Sequence, residues 1–202
     1  MTTTRRDPSK RPDEGRREQL LEAASRVIAR DGIAAASTRR IAEEAGVPPG
    51  LVHYWFAGKD DLLESVIADN LSVVGGAVSE ASLSDSGAGL LPPLAAAFEA
   101  IAADDRGRQI AMFEMTCWAL RRTELNKVAR NQYASYRRIA LEAVEASGAT
   151  FPPDTDPAVV AQLLAALTDG LTLAWLADPE GTDVTAVLEL AARALSDTPA
   201  SE

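Results

Sequence analysis

Apolar residues in this chain recur at three- and four-residue spacing, and nowhere do they alternate with polar ones over a useful length. That period lines one face of a helix, not one face of a strand. Leu20, Leu21, Ala24, Val27 and Ile28 form the first stripe. It predicts a helix from Glu14 to about Asp31, closed by Gly32 in the left-handed conformation. Ser37 is a good cap for a second helix over 38–45, with Ile41, Ala42 and Ala45 on its apolar side. Gly46 stops it. Pro48 and Pro49 interrupt helix, and Pro49 suits the first position of a short third helix over 49–56. After Gly58, a fourth helix opens at Lys59 with Asp60 and Asp61 in its first turn. Leu62, Leu63, Val66, Ile67 and Leu71 carry it out to about Gly75.

A loop is expected at 82–93. Further helices are predicted near 92–104, 106–121, 124–147, 157–177 and 183–196, broken at Asp104-Asp105, Arg122-Thr123, SGATFPPDTDP and DPEGTD. The fold class is all-α. Two short helices joined by Gly-Val-Pro, with longer helices before and after, predict an N-terminal three-helix helix-turn-helix domain. A larger helical bundle follows it.

Composition narrows the function. Of 202 residues, 47% are hydrophobic and 25% charged, which is ordinary for a globular chain. One cysteine, Cys117, rules out an intrachain disulfide framework and fits a reducing compartment. It is expected to be an inert core thiol. The single histidine, His53, leaves no paired metal ligands and no Ser/His/Asp set, and no Gly-rich phosphate loop is visible. No enzyme and no cofactor are expected. The first 19 residues lack an apolar export segment, and no apolar run free of charge approaches 18 residues. The expectation is a cytoplasmic protein with no membrane partner. Net charge is −10, unevenly spread: residues 1–60 hold 11 Lys and Arg against 9 Asp and Glu, and the remaining 142 hold 9 against 21. The +2 end can approach a polyanion while the −12 body stays clear of it.

The stretch GVPPGLVHYWFAGKDDL at 46–62 carries the chemistry. On a helical wheel Val52, Trp55 and Phe56 fall together and should pack inward. Leu51, His53 and Tyr54 point elsewhere, from a helix that starts at a turn. That placement suits a helix entering the DNA major groove, with Leu51 on a thymine methyl and His53 and Tyr54 on phosphates. The alternatives are a small core capped by His53 and Tyr54, or a surface that docks on a protein. Arg39, Arg40 and Lys59 favour DNA.

Residues 17–63 resemble the DNA-binding domain of the TetR family of transcriptional regulators. The pattern lies in AAASTRR followed by IAEEAGVPPGLVHYWFAGKDDLL at 41–63. The resemblance implies that Ser37 caps the second helix and touches a phosphate. It puts Pro49, Gly50, Leu51 and His53 against the bases and makes Tyr54 and Lys59 phosphate clamps. Arg39 and Arg40 would add contacts. Thr38 stands where a larger aliphatic is common, Arg40 where an acid is frequent, Leu51 for a hydroxyl residue and His53 for a tyrosine. These departures bear on which operator is read. The implied division is a disordered basic tail at 1–13, a DNA-binding unit at 14–60, and an effector-binding and dimerisation unit at 61–202.

LLAALTDGLTLAWLADPE at 163–180, followed by VTAVLELAARAL, resembles the family's C-terminal domain, most like its BetI-type members. It implies a homodimer on a palindromic double-stranded DNA operator, released by a small-molecule effector. The apolar rows point the same way, and the interface is expected at Leu163, Leu167, Leu171, Val187, Leu188, Ala191 and Leu195. Effector-pocket candidates are Phe98, Met112, Phe113, Met115, Cys117, Trp118, Tyr133, Tyr136 and Trp175. Glu114 and Asp169 are its candidate acids. A carboxylate amid Met112, Phe113 and Met115 needs a partner; for Glu114 that is a cationic ligand or one of Arg108, Arg121 and Arg122.

Overall fold

The computed structural model describes residues 12–84 and 87–196. The expected tail at 1–11 lies outside them, and Pro12 and Asp13 already belong to the first helix. Among the described residues the chain forms nine α-helices and one short 3-10 turn. They are α1 (Pro12–Asp31), α2 (Thr38–Ala45), α3 (Pro49–Trp55), α4 (Lys59–Ser84) and α5 (Leu91–Ala103), then α6 (Arg106–Leu120), α7 (Asn126–Ala146), α8 (Pro157–Ala177) and α9 (Val184–Leu195). Side-chain caps set several starts. Ser37 Oγ accepts the Arg40 N–H at 3.2 Å, and Asp105, Asp156 and Asp183 cap α6, α8 and α9 in the same way.

One helix outruns its sequence pattern. The expected stop at Gly75 does not occur, and α4 continues to Ser84. A glycine inside a helix costs only about 1 kcal/mol. At Gly75 an added Cβ would lie 3.3 Å from Cδ1 of Ile139, so its absence lets α7 pack closely across α4. The loop expected at 82–93 shrinks accordingly.

The core falls into two main clusters. The first joins α1, α2, α3 and the start of α4 to α6 and the start of α7, through residues such as Leu20, Ile28, Ile41, Val52, Leu63 and Met115. The second joins α5, the end of α7, α8 and α9, around Leu94, Val144, Leu164 and Leu188. The boundary expected between residues 60 and 61 therefore falls inside a packed unit. The helix-turn-helix head and α6 share one core.

A polar joint reinforces that core. Ile33, buried between α1 and α2, donates its N–H to Glu114 Oε1 on α6 at 3.1 Å. Its carbonyl accepts from Lys59 Nζ on α4 at 2.6 Å. Both backbone groups of one residue, in two successive peptide units, are thus held from different helices. Gly32 (φ 78°) turns the chain into this position, and a Cβ there would sit 3.2 Å from Glu114 Oε1. Among the described residues none of Arg108, Arg121 and Arg122 pairs with Glu114. Arg108 bonds Asp104, Arg122 lies over Trp118, and the carboxylate satisfies a backbone donor instead.

Glu114→Ala leaves the Ile33 N–H without its acceptor. Urea denaturation followed by circular dichroism should show a loss of about 1–3 kcal/mol. Glu114→Gln keeps an acceptor and should lose less than half as much.

Candidate DNA-reading face and ligand cavity

The turn between α2 and α3 aims one side of α3 out of the head. Val52 and Phe56 are fully buried and anchor the helix, and Trp55 is half-buried against the same core. Tyr54 stands 72% exposed, its ring edge-on to Trp55 at 5.3 Å. Pro49, Gly50 and His53 are exposed beside it, and Leu51 is half-buried. Exposed Ser37 lies at the start of α2, where its side chain serves as the cap. Pro49, Gly50, His53 and Tyr54 are thus exposed on one short helix, and Ser37 stands exposed at the start of α2.

The basic residues divide. Arg39 is almost fully exposed and pairs only with Glu43 one turn on, at 3.1 Å. Such exposed pairs are worth a few tenths of a kcal/mol, so Arg39 is free to turn to another anion. Arg40 is drawn back to Asp31 at 3.0 Å, where Arg30 also binds. Hydrogen bonding from Arg30 holds the Asp31 carboxyl below its usual range, and Arg26 and Arg30 do the same for Glu44. Lys59 departs from its expected role as a phosphate clamp. Its ammonium lies inside, on the Ile33 carbonyl and 5.7 Å from the Trp118 ring centre. Burial, and then the nearby charge of Arg122, hold its pKa below the usual lysine range. The packing between head and α6 turned it inward, which no local pattern could signal.

A cavity of about 100 Å³ lies among α4, α5, α6, α7 and α8. Four of the expected pocket residues line it: Met112, Phe113, Tyr136 and Asp169. The others do not, and Met115 is buried in the first core. Phe98 and Trp175 pack edge to face at 5.5 Å in the second core. Glu114 turns to Ile33, and Trp118 lies beneath Lys59 and Arg122. Cys117 is exposed rather than buried, because its side of α6 is left uncovered. Tyr133 reaches the cavity indirectly, donating its hydroxyl to Asp169 Oδ2 at 2.6 Å.

The polar part of the wall went unseen in the sequence. Asn70, Gln109, Gln132, Thr168 and Thr172 also line the cavity. Thr116 Oγ1 lies 2.8 Å from Gln132 Oε1, and Gln132 Nε2 donates to the Tyr136 hydroxyl at 2.9 Å. Burial pushes the Tyr136 hydroxyl up to about 12. Burial, and then the bond to Asp169, push Tyr133 well above the usual tyrosine value. Both stay protonated at neutral pH. A signal existed: Gln132 falls in the row of Tyr136, Ile139 and Ala143, and a glutamine inside an apolar row has to be hydrogen-bonded.

The expected interface residues on α8 and α9 also divide. Leu171 and Leu188 are buried in the chain's own second core, and Leu167, Val187, Ala191 and Leu195 are half-buried. Leu163 is 51% exposed, and it continues into an uncovered row with Val159 and Leu173 on α8 and with Leu190 on α9. Leu171 and Leu188 lie on the opposite sides of these helices, and apolarity alone did not separate the two sides. By length and composition α4 and α8 are apolar enough to cross a membrane, but here they are bundle helices, packed on α5 and α7 respectively.

Known proteins share this arrangement. The pattern described as "Bacterial regulatory proteins, tetR family" matches residues 20–66. The one described as "Tetracyclin repressor-like, C-terminal domain" matches residues 86–197. The nicotine-responsive transcriptional repressor HdnoR of Paenarthrobacter nicotinovorans is 30% identical over 165 residues, 81% of this chain and 85% of that protein. The transcriptional regulator BetI 2 of Chromohalobacter salexigens is 32% identical over 173 residues, 83% of this chain and 81% of its own. A crystal structure of the multidrug binding protein EbrR complexed with imidazole superposes with a TM-score of 0.67 at 31% identity, covering 92% of this chain and 97% of that one. These are regulators and binding proteins, not enzymes, and this chain belongs to the TetR family of bacterial transcriptional regulators.

Proposed function

We propose that this chain is a homodimeric repressor that binds a palindromic DNA operator and is released by a small-molecule effector. The observation that carries this reading is the uncovered face of α3, where Pro49, Gly50, His53 and Tyr54 stand exposed, with Arg39 exposed on α2. Tyr54 rests on Trp55 by one edge only, and its exposed ring and hydroxyl suit contact with a DNA backbone and base edges. Two copies would place their α3 helices at half-sites about one DNA turn apart, roughly 34–36 Å. The row of Val159, Leu163, Leu173 and Leu190 supports pairing through α8 and α9. Such a protein acts where chromosomal DNA lies, in the cytoplasm.

Effector release follows from the joint. Met112 and Phe113 line the cavity, and the next residue, Glu114, holds Ile33 just ahead of α2. A ligand that shifts α6 also shifts the anchor of the reading head. It weakens DNA binding by the difference in its affinity for the two arrangements. Relatives that answer to nicotine or hold imidazole support a small organic effector.

Three outcomes are expected. In mobility shifts on duplex DNA from around its own coding region, Tyr54→Ala should weaken selective binding by about 1–3 kcal/mol, roughly tenfold or more. Arg39→Ala should flatten the salt dependence by about one charge, while Lys59→Met should leave that slope unchanged and lower thermal stability instead. Unchanged affinity in Tyr54→Ala would mean that α3 faces something other than DNA. In sedimentation, Leu163→Glu with Leu173→Glu should convert a dimer to a monomer; a persistent dimer would move the interface elsewhere.

A further inference from the structure

We infer that the cavity selects a compact organic cation, an ammonium on an apolar ring-bearing body, with Asp169 as its counter-ion. This rests on the repressor reading only for its consequence at DNA; the binding chemistry stands on the wall itself.

Among the described residues, Asp169 is the only carboxylate in the cavity wall. No lysine, arginine or histidine lines the cavity to receive a carboxylate or phosphate. Asp169 is half-buried, and no cation lies within ion-pair distance of it among the described residues. Its Oδ2 accepts from the Tyr133 hydroxyl, which leaves Oδ1 without a partner there. A carboxylate in mostly apolar surroundings with half its acceptor capacity unused favours a cation that brings N–H donors.

The other polar groups of the wall lean the same way. Asn70 and Gln109 donate their amide nitrogens to Asp104 behind them, which turns their oxygens away from Asp104. The hydroxyls of Thr168 and Thr172 donate to backbone carbonyls of their own helix, leaving their lone pairs. Gln132 is spent on Thr116 and Tyr136. The wall thus offers mostly oxygens. Tyr136 and Phe113 add ring faces, and an ammonium within reach of both a carboxylate and aromatic rings gains from each. The remaining wall is aliphatic: Val74, Val78, Leu94, Ile101 and Leu164 would enclose an apolar body. The cavity volume limits that body to a small ring system.

Titration calorimetry on the full chain, without DNA, tests this with three probes of matched shape: phenethylammonium, 2-phenylethanol and 3-phenylpropanoate. The ammonium should bind at least tenfold tighter than the alcohol, and the propanoate more weakly than either. Asp169→Asn should cut ammonium affinity at least tenfold while moving the alcohol less than threefold. Tyr133→Phe, which frees Oδ2 and keeps the charge, should bind the ammonium at least as tightly as wild type. The wild-type comparison needs no variant and holds even if Asp169→Asn fails to fold. Alcohol or propanoate binding as tightly as the ammonium would overturn the inference. So would no binding by any probe, or an equal loss for all three in Asp169→Asn. A mobility shift with the same probes separates the two proposals. Selective ammonium binding that leaves DNA affinity unchanged counts against release by effector, not against the cation site. Release by a neutral or anionic ligand alone counts against the cation site and leaves the repressor reading standing.

Discussion

The Ile33 peptide sits at the joint of the molecule, its N–H on the Glu114 carboxylate of α6 and its carbonyl on the Lys59 ammonium of α4. Much else depends on that arrangement. A short connection between α1 and α2 would otherwise leave two buried backbone groups without partners. The carboxylate and the ammonium each bond one backbone group of the same residue, so the turn is tied to two helices at once. Gly32 is needed because the left-handed turn and the nearness of Glu114 exclude a side chain there. The small helices of the head, α2 and α3, are too short to hold alone. They are held by the core they share with α6, and the joint fixes where α2 begins relative to it.

The same helix, α6, serves the cavity one residue earlier. Phe113 and Met112 face ligand space while Glu114 faces the head. Neighbouring side chains on a helix point about 100° apart, so one helix can touch both sites without a relay of loops. Packed interiors shift between discrete arrangements rather than deforming smoothly. On the proposed reading, a change at the cavity wall would reach the head as a displacement of its anchor. The acidic body and basic tip add a second constraint: the molecule can present only its head to DNA.

Much of this was legible in the chain. The order of helices, the Ser37 cap, the Gly46 stop and the Pro48-Pro49 turn are local features with local causes, and the structure bears them out. The inward set of α3 was legible from spacing alone. What escaped depended on distant packing. Lys59 looked like a surface cation because nothing near it in sequence shows that Ile33 and Trp118 will cover it. Glu114 looked like a pocket acid because its neighbours are apolar; its partner is a backbone N–H 81 residues away. Gly75 looked like a helix end because the close pass of Ile139 is invisible without α7. On α8 and α9 the apolar residues spread well beyond one narrow stripe, so the pattern could not separate the core positions Leu171 and Leu188 from the uncovered row of Leu163 and Leu173.

The joint is open to direct measurement by native-state hydrogen exchange at residues 33 and 34. Exposed Ala34 neighbours Ile33, and no hydrogen bond of its N–H appears in the structure. If Glu114 holds Ile33 as described, the Ile33 amide should exchange only through opening of the head–α6 core, at least about a hundredfold more slowly than that of Ala34. The protection should collapse in Glu114→Ala. An Ile33 amide that exchanges as fast as Ala34 in the unmodified protein would contradict the account, since the head would then move independently of the helix that lines the cavity.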